Sequence, residues 1–206
     1  FPTPPTEKRT PPATIVAFST IGTPFAVVLL KKIITNKNDK TMKKTIVVYG
    51  STTGTCQEVA EQIAQKLGVS DVKNISDVDA DMLADYDNLI LGTSTWGAGE
   101  LQDDWYDGVE MLKGADLSGK TIALFGVGDA EGYSDTFCGG MSSIYEAVKD
   151  SGARLIGQID ASTYTYDDSE SVVDGKFVGL AIDSSESEGK TENRVDAWLD
   201  GIKGEL

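Results

Sequence analysis

Thr45-Ile46-Val47-Val48-Tyr49-Gly50-Ser51-Thr52-Thr53-Gly54-Thr55-Cys56 is the stretch that decides how this chain reads. Its first five residues form a short β-rich run that ends at Gly50. A turn of glycine and hydroxyl residues follows, and then Val59, Ile63, Ala64 and Leu67 recur at helical spacing until Gly68. A strand that passes into a helix through such a turn gathers hydroxyls, a glycine that permits close approach, and unpaired helix N–H groups around one point. That grouping suits a phosphate. Between Tyr49 and Glu58 there is no Lys or Arg. A nucleotide-hydrolysing loop would need the lysine of GxxxxGKS/T to reach the outer phosphates. Neutral donors fit a single terminal phosphate that is held and never transferred. A Ser/Thr-rich turn that only caps a helix is the competing reading.

The alternation continues down the chain. Residues 72–75, 89–92, 121–125 and 154–159 read as further strands, with 79–85 as a short helical turn and 103–113, 139–151 and 191–203 as helices. Five strands alternating with helices predict an α/β fold, a parallel sheet covered on both faces. In such sheets ligands sit beyond the carboxyl ends of the strands. Residues 161–183 interrupt the last unit and contain Tyr164, Tyr166, Asp167 and Asp168, then a possible strand over 176–182. This insertion is expected to lengthen the region of the fifth strand without disturbing the sheet order.

Two more loops leave carboxyl ends of strands and should converge with the first. One is Thr93-Ser94-Thr95-Trp96-Gly97-Ala98-Gly99-Glu100. A Trp between glycines is poorly placed for a core and well placed as a stacking wall, although it could also fold down onto the sheet edge. The other runs from Gly126 to Asp135 and carries Tyr133 as a second wall. Its GxG start is one residue out of step with the dinucleotide fingerprint and follows the fourth strand, so that match is accidental. One phosphate loop and two loops with flat side chains describe a pocket for a planar, phosphorylated cofactor.

Composition narrows the chemistry. The 206 residues carry a formal net charge of -15 and no His, which removes the commonest general base and most zinc and haem sites. Residues 1–41 hold six Lys/Arg against two acids, leaving twelve against thirty-one in residues 42–206, a net of -19. So acidic a body repels nucleic acid and anionic lipid and favours partners with basic patches; simple solubility is the plainer alternative. Cys56 and Cys138 have no CxxC spacing, which points to a reducing, cytoplasmic compartment. Residues 1–41, rich in proline and with an apolar-leaning run at 13–30, are expected to be a leader foreign to the domain, disordered or not native to the mature protein. A membrane anchor and a targeting leader compete with that reading.

The pieces together resemble long-chain flavodoxin across residues 42–206. They are Ser51-Thr52-Thr53-Gly54-Thr55, Thr95-Trp96 with Gly99-Glu100-Leu101-Gln102 and Asp104-Trp105, Gly128-Asp129 with Gly132-Tyr133, Asp135 and Phe137, and the insertion segment Asp174-Gly175-Lys176-Phe177-Val178-Gly179-Leu180-Ala181. The resemblance implies a flavodoxin-like three-layer sandwich whose five parallel strands run in the order 2-1-3-4-5. It implies FMN held without a covalent bond by Ser51, Thr52, Thr53, Gly54, Thr55, Cys56, Thr93, Ser94, Thr95, Trp96, Gly97, Gly99, Gly128, Asp129, Tyr133, Phe137, Cys138 and Asp168. The ring would lie between Trp96 and Tyr133, with Asp129 and the backbone near Cys138 at its pyrimidine edge and Asp168 at the ribityl chain. Cys56 stands where the family's loop usually has Thr, and a thiol donates weakly.

The function implied is a low-potential single-electron carrier that shuttles FMN between semiquinone and hydroquinone, with the Gly97 carbonyl able to turn toward the flavin. One carboxylate about 10 Å from the ring, at effective dielectric roughly 40, opposes added charge by about 0.8 kcal/mol, or on the order of 35 mV. A reductase donor and a low-potential acceptor enzyme are the expected partners of a monomer, with no nucleic acid and no membrane for residues 42–206. An FMN-dependent quinone reductase is the alternative, and two aromatic walls leave it little room for a substrate. A phosphoacceptor signalling domain would need an acidic cluster and a lysine at the strand ends, where this chain has Ser51, Thr53 and Trp96.

Overall fold

The computed structural model describes residues 43–206; the expectations for residues 1–41 lie outside the described residues. Five parallel strand positions form the centre. β1 (Thr45–Gly50) pairs with β2 (Val72–Asn74) on one side and β3 (Asn88–Trp96) on the other. The short β4 (Glu100–Leu101) folds back antiparallel on the end of β3. β5 (Thr121–Gly128) lies beyond β3.

Alternation of side chains across the pleat builds the three layers. Ile46 and Val48 of β1 join one apolar cluster, and Val47 between them joins the other. The second cluster is completed by α1 (Thr55–Leu67) and α5 (Glu188–Ile202), through Val59, Ile63, Val195, Trp198 and Ile202. The first is completed by α2 (Ala80–Ala84), α3 (Trp105–Gly114) and α4 (Met141–Val148), through Leu83, Trp105, Val109, Leu112, Ile144 and Val148. Trp105 is fully buried and its indole N–H donates to the Gly92 carbonyl at 2.8 Å, so burial leaves no polar atom of that ring unpaired.

The fifth position departs from the sequence reading. Residues 154–159 are not one strand. β6 (Arg154–Ile156) pairs with Thr121, Ile122 and Ala123, and the chain then leaves the sheet. It returns as β10 (Leu180–Asp183), which continues along the same edge of β5 against Phe125 to Gly128. The expected strand over 176–182 is likewise divided: β9 (Lys176–Phe177) pairs in a separate three-stranded antiparallel sheet between β7 (Ile159–Asp160) and β8 (Val172–Val173). Counting β6 and β10 as the two halves of strand five, the order 2-1-3-4-5 stands. The insertion splits that strand instead of lengthening it.

The insertion is fastened by side chains. Tyr164, Tyr166 and Phe177 pack around Phe137 with ring centroids 5.2–6.0 Å apart. The Arg194 guanidinium of α5 lies 4.1 Å over the Tyr164 ring and donates through two nitrogens to Glu186 at 2.7 Å each. Hydrogen bonds from Arg194 hold the Glu186 carboxyl down at about 2. A depressed carboxyl stabilises the fold above its unfolded value and loses that contribution as pH falls through the folded one. Glu186→Gln should therefore flatten the acid limb of a stability-versus-pH curve between about 4.5 and 2 by roughly 1–2 kcal/mol. Chemical denaturation across that range measures it, and identical limbs would refute it.

Candidate functional site

The carboxyl ends of β1, β3 and β5 open onto one cleft, the rim position where sheets of this kind take a small-molecule ligand. All three loops singled out from the sequence reach it. Thr53 and Thr55 come from the first, Ser94, Thr95, Trp96 and Gly97 from the second, and Gly128, Asp129, Tyr133, Phe137 and Cys138 from the third. Val127, Thr136 and Ser184 also line it.

The first loop is built as an anion seat. Gly54 is the N-cap of α1 at φ 102°, and no side chain caps the helix, so its leading N–H groups face the loop. Ser51 Oγ accepts from the Gly54 N–H at 3.1 Å, which folds the turn and leaves the hydroxyl proton free. The Cys56 side chain is fully buried in the apolar cluster with Val47 and Ala60, and burial pushes its thiol up, so it stays neutral. Only its backbone N–H can serve a ligand. Among the described residues that line the cleft, none is Lys or Arg.

Trp96 is the last residue of β3, paired opposite Glu100, and not a loop residue. Its indole N–H donates to Ser94 Oγ at 2.9 Å, which fixes the ring, yet Trp96 remains 40% exposed. Tyr133 is 58% exposed. Its loop is shaped by Asp129, whose Oδ1 accepts from the N–H groups of Glu131 at 3.0 Å and Gly132 at 2.8 Å. The Asp129 carbonyl accepts from the Tyr133 N–H at 3.0 Å. Asp129 therefore lines the cleft while holding the turn that presents Tyr133. Two large flat side chains open to solvent at one cleft present faces for stacking.

Other candidates are placed differently from expectation. Thr93 is buried, its hydroxyl donating to the Ser94 carbonyl at 2.9 Å, and Gly99 sits in the β3–β4 hairpin and does not line the cleft. The Phe137 ring belongs to the aromatic cluster under the insertion, which leaves its backbone at the cleft. Cys138 adopts φ 54° with its thiol buried 3.6 Å from the carbonyls of Gly126 and Ile182, so it too offers backbone. Asp168 does not line the cleft. Its carboxylate accepts from the Ser169 N–H at 2.8 Å and its own N–H donates to the Ser134 carbonyl at 3.0 Å, so it braces the Tyr133 loop from outside.

Two residues had no sequence signal of their own. Thr136 lines the cleft, while its Oγ1 is buried and has no protein partner. Ser184 arrives with β10, its N–H donating to the Gly128 carbonyl at 2.8 Å. The uncapped helix N-terminus and the exposed aromatic surfaces together fit a neutral, planar ring with one phosphate.

Known proteins resemble this chain in sequence and fold. A family model described as Flavodoxin matches residues 47–198. The chain is 40% identical over 171 residues to flavodoxin 1 of Azotobacter vinelandii, covering 80% of this chain and 98% of that one. It is 39% identical over 165 residues to a flavodoxin of Picosynechococcus, covering 79% and 97%. The crystal structure of Fusobacterium nucleatum flavodoxin bound to flavin mononucleotide superposes with a TM-score of 0.74 at 29% identity, covering 80% of this chain and 99% of that one.

Proposed function

The chain belongs to the flavodoxin family, and from that premise we propose that the rim cleft holds one FMN with its ring between Trp96 and Tyr133. It is an FMN-based electron carrier and not an enzyme with a substrate of its own. The observation that carries the placement is the pair of exposed rings beside an uncapped helix N-terminus at one cleft.

The residues divide the work by chemistry. N–H groups at the start of α1, with the hydroxyls of Thr53 and Thr55, would take the phosphate by dipole and hydrogen bond without a counter-charge. Trp96 and Tyr133 would exclude water from the ring faces, and the backbone of Cys138 would meet polar atoms at its edge. Bound FMN supplies one-electron chemistry. The protein sets how strongly added negative charge is opposed: a body of net -19 and the absence of Lys or Arg among the described residues of the cleft wall keep the potential low. Gly97, at φ 49°, is in a region where its peptide can reorient at little cost.

Apoprotein titrated with FMN should quench flavin fluorescence to a one-to-one end point and turn yellow. A colourless protein that takes up no flavin would end this reading. We further propose that the partners are redox proteins that present basic patches, that the protein works as a monomer, and that its setting is the reducing cytoplasm, which suits two buried free thiols. Electron-transfer rates to a basic partner should fall about tenfold or more as ionic strength rises from ~0.05 to ~0.5 M. Stopped-flow rates indifferent to salt would exclude electrostatic docking.

A further inference from the structure

Between β4 and α3 sits Gln102, 3% exposed, directly behind the phosphate loop. Its carboxamide is fully engaged. Oε1 accepts from the Asp104 N–H at 3.0 Å. Nε2 donates to Asp104 Oδ2 at 3.1 Å and to Thr52 Oγ1 at 3.3 Å. The amide cannot be turned over, because a backbone N–H must meet oxygen and a carboxylate must meet nitrogen. Asp104 Oδ2 is held in turn by Asn74 Nδ2 at 3.4 Å. A Cβ at Gly50 would lie 2.4 Å from Gln102 Oε1, so the absence of a side chain at the head of the loop is what lets the amide approach.

The consequence concerns Thr52. Its hydroxyl oxygen accepts from Gln102, which ties the second residue of the phosphate loop to the segment behind it. We propose that Gln102 is a positioning residue for the phosphate subsite: by holding Thr52 it sets the turn whose N–H groups and Thr53 and Thr55 hydroxyls would meet the FMN phosphate. This rests on the FMN reading above and adds to it a residue that touches no part of the cofactor. A glutamate at 102 would invert the arrangement. A carboxylate accepts, so the Thr52 hydroxyl would donate backward to it, and a second negative charge would stand behind the loop beside Asp104.

The test compares FMN with riboflavin, which has the same ring and lacks the phosphate. Full-length apoprotein and its Gln102→Glu and Gln102→Met variants are titrated with each flavin, with thermal unfolding followed alongside. Gln102→Glu should weaken FMN binding by about 10–100-fold and riboflavin binding by less than about threefold. Gln102→Met, which removes the donor without adding charge, should weaken FMN by roughly 3–10-fold, again with riboflavin nearly unchanged. If FMN and riboflavin weaken by the same factor, or neither changes, Gln102 is a packing residue and the proposal falls while the FMN reading stands. If the unaltered protein binds neither flavin, the FMN reading itself falls and this inference goes with it.

Discussion

A protein carrying Trp96→Ala and Tyr133→Ala is expected to bind FMN about 10³-fold more weakly at unchanged thermal stability. Stacking one flat side chain on a heterocycle contributes ~1–3 kcal/mol, and each 1.4 kcal/mol is about a factor of ten. Two walls thus account for roughly three orders of magnitude. Stability should hold because neither ring is core. Trp96 and Tyr133 are 40% and 58% exposed, and the hydrogen bond that truncation breaks, from the Trp96 indole to Ser94 Oγ, joins two groups that water can serve instead. Tyr106 supplies the control. It is 55% exposed on α3 and does not line the cleft, so Tyr106→Ala should leave FMN affinity within about twofold. Fluorescence titration of the double variant and the control decides the matter. Equal weakening in both would mean that the aromatic pair is not the ring site.

What the sequence disclosed about this site follows contact range. Ser51 to Thr55 were legible because a strand, a turn and a helix N-terminus are all written within about a dozen neighbouring residues. Trp96 and Tyr133 were legible because large rings beside glycines have no local means of burial. Phe137 was named at the site by resemblance, but its ring partners Tyr164, Tyr166 and Phe177 lie in the insertion, and no local pattern says that a ring will find companions so far along the chain. Asp168 was assigned by resemblance alone, and its backbone turns out to be tied to Ser134 outside the cleft. Ser184 was invisible because the register of β10 on β5 delivers it to the rim, and register is a property of the pair. Gln102 stood in a quoted motif without a role, since its partner Thr52 is fifty positions away.

The fifth strand yields the other large expected effect. Gly179→Ala should destabilise the fold by about 3 kcal/mol or more and weaken FMN binding in whatever protein remains folded. In sequence, residues 176–182 are one apolar run, and only a three-dimensional contact explains why they part company at Val178 and Gly179. A Cβ at Gly179 would lie 2.1 Å from the Leu124 carbonyl oxygen and 2.5 Å from its carbon. Leu124 is mid-strand in β5, paired to Leu91 of β3, so that backbone cannot retreat without breaking the central ladder. The incoming strand must give way instead. β10 begins one residue later, and its far end carries Asp183, whose Oδ1 accepts from the Ala130 N–H at 3.1 Å and the Ser185 N–H at 3.0 Å. A displaced β10 therefore loosens both the loop that presents Tyr133 and the segment that brings Ser184 to the cleft. Urea unfolding of the apoprotein gives the stability change, and FMN titration well below the unfolding midpoint gives the affinity. A large drop in stability with FMN affinity unchanged would show that the insertion serves only to close the sheet, and that the cleft is organised entirely by β1, β3 and β5.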